Sequence, residues 1–260
     1  MPLINYIGNR QESLGNTAGG RLQRGPAPPP PSLSVDYLIV GGGDAVYLTG
    51  YGGGGGGFVS SSASISFNDI LSIEVGAGGT AAVNDYGKQS SISSSAFGYL
   101  IASGAIEGQS GLPQGKSAGL GGPYPIGTGG GAGAAQNGVN GTTNASGLGG
   151  DGLQWLDGNF YAGGGGGSTN GVGVFNGYGG LGGGGTGQGT PNPNITASVN
   201  TGGGAGGQNG DGGSGVVIIR YATSSVAPPY DNAIAGGIVT QVGGYIYRTF
   251  TTSSQLAYKF

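Results

Sequence analysis

Apolar and polar residues alternate along only a few stretches of this chain, and those stretches lie toward its two ends. Leu33-Ser-Val-Asp-Tyr-Leu-Ile-Val40 reads as a strand that becomes apolar on both faces before Gly41-Gly-Gly43. Ala63-Ser-Ile-Ser-Phe67 and Ile70-Leu-Ser-Ile-Glu-Val75 keep a period of two and predict half-buried strands. Ser90 to Ile101 predicts one further short strand. The pattern returns in Val216 to Tyr221, in Gly236 to Phe250 and in Leu256 to Phe260. Between about residues 104 and 215 neither a helical nor a strand period survives.

That middle region is punctuated by glycine. Clusters at 129–133, 163–167, 182–185, 202–207 and 212–215 alternate with Asn, Thr, Ser and Pro, and Gly52 to Gly57 form an earlier run. The whole chain has 68 Gly and 13 Pro in 260 residues. Glycine costs about 1 kcal/mol in a helix interior relative to alanine, so helices are not expected. Such a composition often marks disorder. Here 14 Tyr, 7 Phe, several compact apolar runs and a net charge of only −3 argue for a folded chain. Polyglycine can adopt the three-residue-per-turn polyproline II helix, in which every N–H and C=O needs an outside partner. Neighbouring threads without side chains can approach closely and bond backbone to backbone, at a net ~1 kcal/mol per bond. The expected fold is mainly β/irregular: a polyglycine II helix sandwich flanked by short β-strands, with almost no α-helix. Residues 1–31 form an arm with a proline-rich spacer, 32–222 the glycine-rich domain and 223–260 a C-terminal strand extension. Within the domain, strands occupy 33–101 and the sandwich with its loops 104–215.

Composition then narrows the chemistry. With no His and no Cys there is no imidazole or thiolate metal site, no Ser-His-Asp triad and no disulfide, and neither a metal nor a cofactor is expected. Eight Lys+Arg against 11 Asp+Glu cannot neutralise a phosphate backbone, so nucleic acid is not an expected partner. No run approaches the roughly 20 apolar residues of a membrane span. Gly41-x-Gly43-x-x-Val46 lacks the third glycine, the helix and the acidic residue of a dinucleotide site. The acids beyond the arm are scattered singly, mostly beside Gly or Asn, where Asp commonly makes turns. Asp151 and Asp157 flank Trp155 but read as turn formers rather than a glycosidase pair. An enzyme is not expected.

The arm carries Ile4, Tyr6, Ile7, Arg10, Arg21 and Arg24 before the Gly25-Pro-Ala-Pro-Pro-Pro-Pro31 spacer, and reads as a segment that orders against a partner. For recognition, aromatics in loops are the better candidates, because rings give rigid contact area. Three loops qualify: 112–128 with Pro123, Tyr124 and Pro125, 172–178 with Phe175 and Tyr178, and 186–200 with Asn192 and Asn194. Trp155, Phe160 and Tyr161 are expected to cover the edge of the glycine array.

The series Tyr37-Leu-Ile-Val-Gly-Gly-Gly43, Gly52 to Gly57, Val75-Gly-Ala-Gly-Gly79 and Ser90-Ser-Ile-Ser resembles the glycine-rich domain of bacteriophage tail-fibre proteins. The likeness continues through Gly152 to Gly163, Asn200 to Gly204 and Gly213 to Tyr221, and covers about residues 33–222. That domain is similar to the distal adhesin of T-even-like long tail fibres, whose loops recognise the host surface. The resemblance implies a virion location and binding of a bacterial outer-surface protein or glycan. It also implies attachment to other virion proteins through the arm, as a homotrimer or as a cap on a trimeric fibre. A structural virion component, such as a head fibre, decoration or connector protein, is the alternative. Residues 244–254 resemble an element that often precedes this domain, and are expected to pair with the 33–40 strand within or between protomers. Deletion of residues 1–31 is predicted to abolish incorporation into the particle while leaving the remainder folded. Immunoblots of purified particles and a thermal melt of the truncated chain check this.

Overall fold

The computed structural model describes residues 32–47, 50–66, 69–95, 98–120, 127–169, 175–188, 195–225 and 236–252, with the backbone of 254–257. Among the described residues there is no α-helix, and the fold is mainly β with long irregular segments. Strands β1 (Ser32–Val40), β2 (Phe58–Ser66), β8 (Val216–Ala222), β9 (Ile238–Val242) and β10 (Tyr245–Phe250) form an antiparallel sheet. Its order is β2-β1-β8-β10-β9. A second antiparallel sheet, in the order β11-β3-β4-β5, contains β3 (Ile70–Glu74), β4 (Ser90–Ser94), β5 (Gly98–Ala102) and β11 (Ser254–Ala257). A hairpin of β6 (Leu153–Gln154) and β7 (Phe160–Tyr161) stands apart.

Three sequence expectations change. Ser90 to Ile101 is a hairpin of β4 and β5, with Ser93 opposite Tyr99, rather than one strand. Residues 245–250 do not pair with 33–40: β8 lies between them, with Tyr37 opposite Ile219 and Arg248 opposite Ile219 on its other side. β8 is the most apolar strand, and burying both its edges and both its faces explains its central place. β2 also starts at Phe58, ahead of the expected Ala63, because its serines lie on an exposed sheet edge and mask the period.

Alternation places the core. Leu33, Val35, Tyr37 and Ile39 of β1 join Val217, Ile219 and Tyr221 of β8 against Leu71, Ile73, Ile92 and Ala102 of the second sheet. Leu38, Val40, Val216 and Ile218 point to the opposite face, where Phe58, Trp155, Tyr161 and Tyr247 cover them. The doubly apolar end of β1 is thus buried on both sides, each such side chain contributing about 1.5–3 kcal/mol. Trp155 meets Tyr247 edge-on, at 6.2 Å between centroids and 83°. Asp36 lies opposite Arg220 in the β1–β8 register, with the guanidinium 2.6 Å from Asp36 Oδ2.

Most of the remaining described residues form threads bonded to one another chiefly through backbone. Gly52 and Gly55 donate to Gly129 and Ala132, while Gly53 and Gly56 donate to Ala205 and Gly202, at 2.7–3.0 Å. Partners therefore recur every third residue. The 162–168 thread is enclosed. Its Gly163 and Gly166 donate to Gly182 and Gly185, Gly164 and Gly167 to Gly150 and Gly147, and Gly165 and Ser168 to Gly53 and Gly50. Its carbonyls accept from three other threads: Gly131 and Ala134, Gly177 and Gly180, and Gly204 and Gly207. Each residue from Ala162 to Ser168 is buried.

Close approach, more than conformational freedom, is what requires glycine. A Cβ on Gly165 would lie 1.7 Å from Ala205 O, and one on Gly55 would lie 2.2 Å from Ala162 O. Neither obstacle is a flexible side chain. Gly165→Ala is predicted to cost more than about 3 kcal/mol, or to prevent folding, since overpacking by a single group already costs about 1–3 kcal/mol. Gly158→Ala, at φ +83° with open space around it, should cost only about 1–2 kcal/mol from backbone strain. Urea denaturation of both variants checks the ordering.

Candidate functional site

The threads give the molecule two unlike ends. At one end they run into the sheets: Val40 precedes Gly41, Gly57 precedes Phe58, Ala102 precedes Ser103 and Gly215 precedes Val216. At the other lie residues that border segments outside the described ones: Tyr47 and Gly50, Leu120 and Gly127, Thr169 and Phe175, and Gln188 and Ile195. This end is tied together by polar side chains. The Thr128 hydroxyl lies between the carbonyls of Gly50 and Ser168, 2.7 Å from the latter. The Ser168 hydroxyl accepts from the Gln188 N–H at 2.6 Å.

Two expected recognition residues project here. Phe175 is bonded through its backbone, its carbonyl accepting from Ser146 N–H at 2.8 Å, and its ring is 77% exposed. The Tyr178 carbonyl accepts from Gly149 N–H at 2.9 Å, and its ring is 65% exposed. Exposed aromatics on a fixed main chain lose little entropy on binding. Pro123, Tyr124, Pro125, Asn192 and Asn194 lie outside the described residues, as do Ile4, Tyr6, Ile7, Arg10, Arg21 and Arg24 of the arm. The three expected loops are shorter than anticipated. Leu112 sits at the sheet end, where its carbonyl accepts from Ser103 N–H. Gly119, Gly177 and Gly187 already belong to threads, bonded to Gly130, Gly167 and Gly177. Glycine-poor flanks made these segments look like loops, whereas their spaced glycines continue the lattice.

The acids divide between expectation and surprise. Asp157 accepts from Asn159 N–H at 3.0 Å and from the Tyr161 hydroxyl at 2.6 Å, shaping the β6–β7 turn. Burial, then this carboxylate, push the Tyr161 hydroxyl's pKa well up. Asp151 accepts from Leu181 N–H at 2.8 Å, linking two threads. Trp155 and Tyr161 are buried in the second core cluster with Ala162, at the thread-to-sheet junction.

Asp44 is the exception to turn formation. It continues the Gly41–Gly43 thread, its N–H donating to Gly54 O and its C=O accepting from Ala205 N–H, both at 2.9 Å. Its side chain is 2% exposed. Oδ2 accepts from Gly108 N–H at 2.8 Å, and Oδ1 has no hydrogen-bond partner. Burial raises its pKa to about 7, against the amides of Gly108, Ala45 and Gly54, which favour the charge; Glu107 raises it further. The carboxyl lines a cleft of about 310 Å³ at the shoulder of the loop-bearing end, with Tyr47, Tyr51, Tyr86 and Glu107 around it. The Tyr86 hydroxyl is 3.5 Å from Glu107 Oε1. These residues come from four separate segments, and only an acid interrupting a glycine run hinted at them. A larger groove of about 510 Å³ lies on the sheets, bordered by Ile238, Val242 and Tyr247.

The described residues thus form a backbone-bonded lattice of glycine threads grown from two sheets. The glycine-rich domain family model matches residues 26–222, and the chain belongs to that family. No curated protein and no solved structure matches it significantly.

In the unfolded chain the Asp44 carboxyl titrates near 3.8, and in the folded protein near 7. The folded state therefore holds this proton where the unfolded chain has lost it, and stability falls as pH rises from about 4 through about 7. Between pH 5 and pH 8 this group should cost about 3 kcal/mol. Asp44→Asn is predicted to flatten that decline, as read from urea midpoints of both proteins across this range.

Proposed function

We propose that this chain is a phage virion fibre or tail-tip protein that binds a bacterial surface receptor through connections presented on a rigid polyglycine II platform. The observation that carries the reading is the end-to-end asymmetry of the lattice. Strands and the buried Trp155 cluster gather at one end. The exposed Phe175 stands at the other, with the exposed Tyr178 one turn along the same thread, on main chain fixed by lattice hydrogen bonds. The three-residue recurrence of partners is the repeat that polyglycine II helices would give. Binding on this reading is reversible and needs no chemistry, metal or cofactor. The receptor is an outer-surface protein or glycan, and the arm attaches the protein to its neighbours in the particle.

Fluorescently labelled protein should bind intact cells of a susceptible bacterial strain. Phe175→Ala and Tyr178→Ala together should weaken that binding about tenfold or more, since exposed aromatic anchors are typically worth over 1 kcal/mol each. Their melting temperature should stay unchanged. Undiminished binding by the double variant would reject the role of this end.

A further inference from the structure

The cleft around Asp44 is not explained by the lattice. Alanines 132, 134, 162 and 205 are buried in threads, so a small apolar residue serves wherever filling alone is needed. Asp44 instead buries a carboxyl whose Oδ1 lacks a well-formed hydrogen bond, the amides of Ala45 and Gly54 favouring its charge without closing one, an arrangement that costs stability unless a further donor completes it. A second carboxylate, Glu107, lines the same cleft, and among the described residues no lysine or arginine does. Once Asp44 has lost its proton, above about pH 7 in the chain alone, the electrostatic complement is a cation with N–H donors, and a primary ammonium offers three of them. Tyr47 and Tyr51, on either side of the 48–49 connection, are 44% and 46% exposed and line the cleft beside the acids. Flat rings beside acceptors suit a pyranose, whose apolar face stacks while its polar groups reach the carboxylates. At about 310 Å³ the cleft is at the small end of ligand sites, the size for one or two sugar rings.

We infer that this cleft binds a saccharide unit bearing a free amino group, with Asp44 and Glu107 receiving its ammonium and Tyr47 and Tyr51 flanking its ring. The inference rests on the receptor-binding reading and narrows the receptor to a glycan with unacetylated amino sugars. Acetylation removes both the charge and two of the three donors, so the site discriminates against N-acetylated sugars. Tyr86, with its hydroxyl near Glu107, is a positioning residue for that carboxylate.

The test is calorimetric titration of the full chain with the disaccharide of glucosamine and with its di-N-acetylated counterpart. The free amine should bind, and the acetylated sugar at least tenfold more weakly. Asp44→Asn and Glu107→Gln should each weaken binding of the amine about tenfold, with cooperative melting retained. Glu107 is exposed, so its variant remains informative should Asp44→Asn fold poorly. Equal binding of both sugars, binding of neither, or indifference to Glu107→Gln would overturn the proposal. Ethanolamine binding as tightly as the disaccharide would overturn its saccharide part. Cell binding that is lost with Phe175 and Tyr178 but unchanged in Glu107→Gln would leave the adhesin reading standing and remove this one.

Discussion

The structure depends on main chains approaching so closely that no Cβ can stand between them. Around the 162–168 thread six neighbouring segments are bonded through their backbones, and a methyl group on Gly165 would run into a carbonyl oxygen. This contact satisfies the amide requirement that ordinarily forces a buried chain into helices or sheets. It does so in directions around the thread rather than along one edge, so the array extends in two dimensions. The same contact makes each glycine at a crossing a steric necessity, in contrast to the usual conformational use of glycine in turns.

Such an array is a poor source of stability by itself. One backbone bond per residue is worth a net ~1 kcal/mol, whereas ordering a residue costs about 1–2 kcal/mol. The sheets answer this deficit. Leu33 to Val40 and Val216 to Tyr221 bury apolar side chains on both faces, and the threads continue directly from those strands. The first threads inherit their spacing and direction from β1, β2 and β8. The opposite end is held instead by polar ties such as those of Thr128 and Ser168. This division, with an apolar core at one end and exposed aromatics away from it, is what favours a recognition role.

Sequence reading found the strands wherever a period of two was clean, as in β1, β3 and β8, and found the glycine threads as a class. It missed the β4–β5 hairpin because the serines of Ser90 to Ser95 give no break in polarity at the turn. It misplaced residues 245–250 because pairing between distant strands is set by burial competition, and β8 outcompetes every other partner for the centre. The loops were drawn too long because isolated glycines such as Gly119, Gly177 and Gly187 extend threads that only three-dimensional neighbours complete. Of the candidate surface, Phe175 and Tyr178 were legible as loop aromatics. Asp44 was not, since an acid inside a glycine run looks like any turn-forming Asp until its carboxyl is found buried beside Glu107.

The enclosed thread also dictates how the protein must come into being. Its six neighbours are drawn from residues as early as Gly50 and as late as Gly207. No nascent segment ending before that last residue holds a full set, so the lattice cannot crystallise piece by piece as the chain leaves the ribosome. Non-local pairing of this kind makes for slow folding and a long-lived unfolded precursor. Few apolar residues between the flanking strands keep that precursor from collapsing or sticking while it waits. The poverty of side chains that permits the finished array thus also protects the chain that has yet to build it.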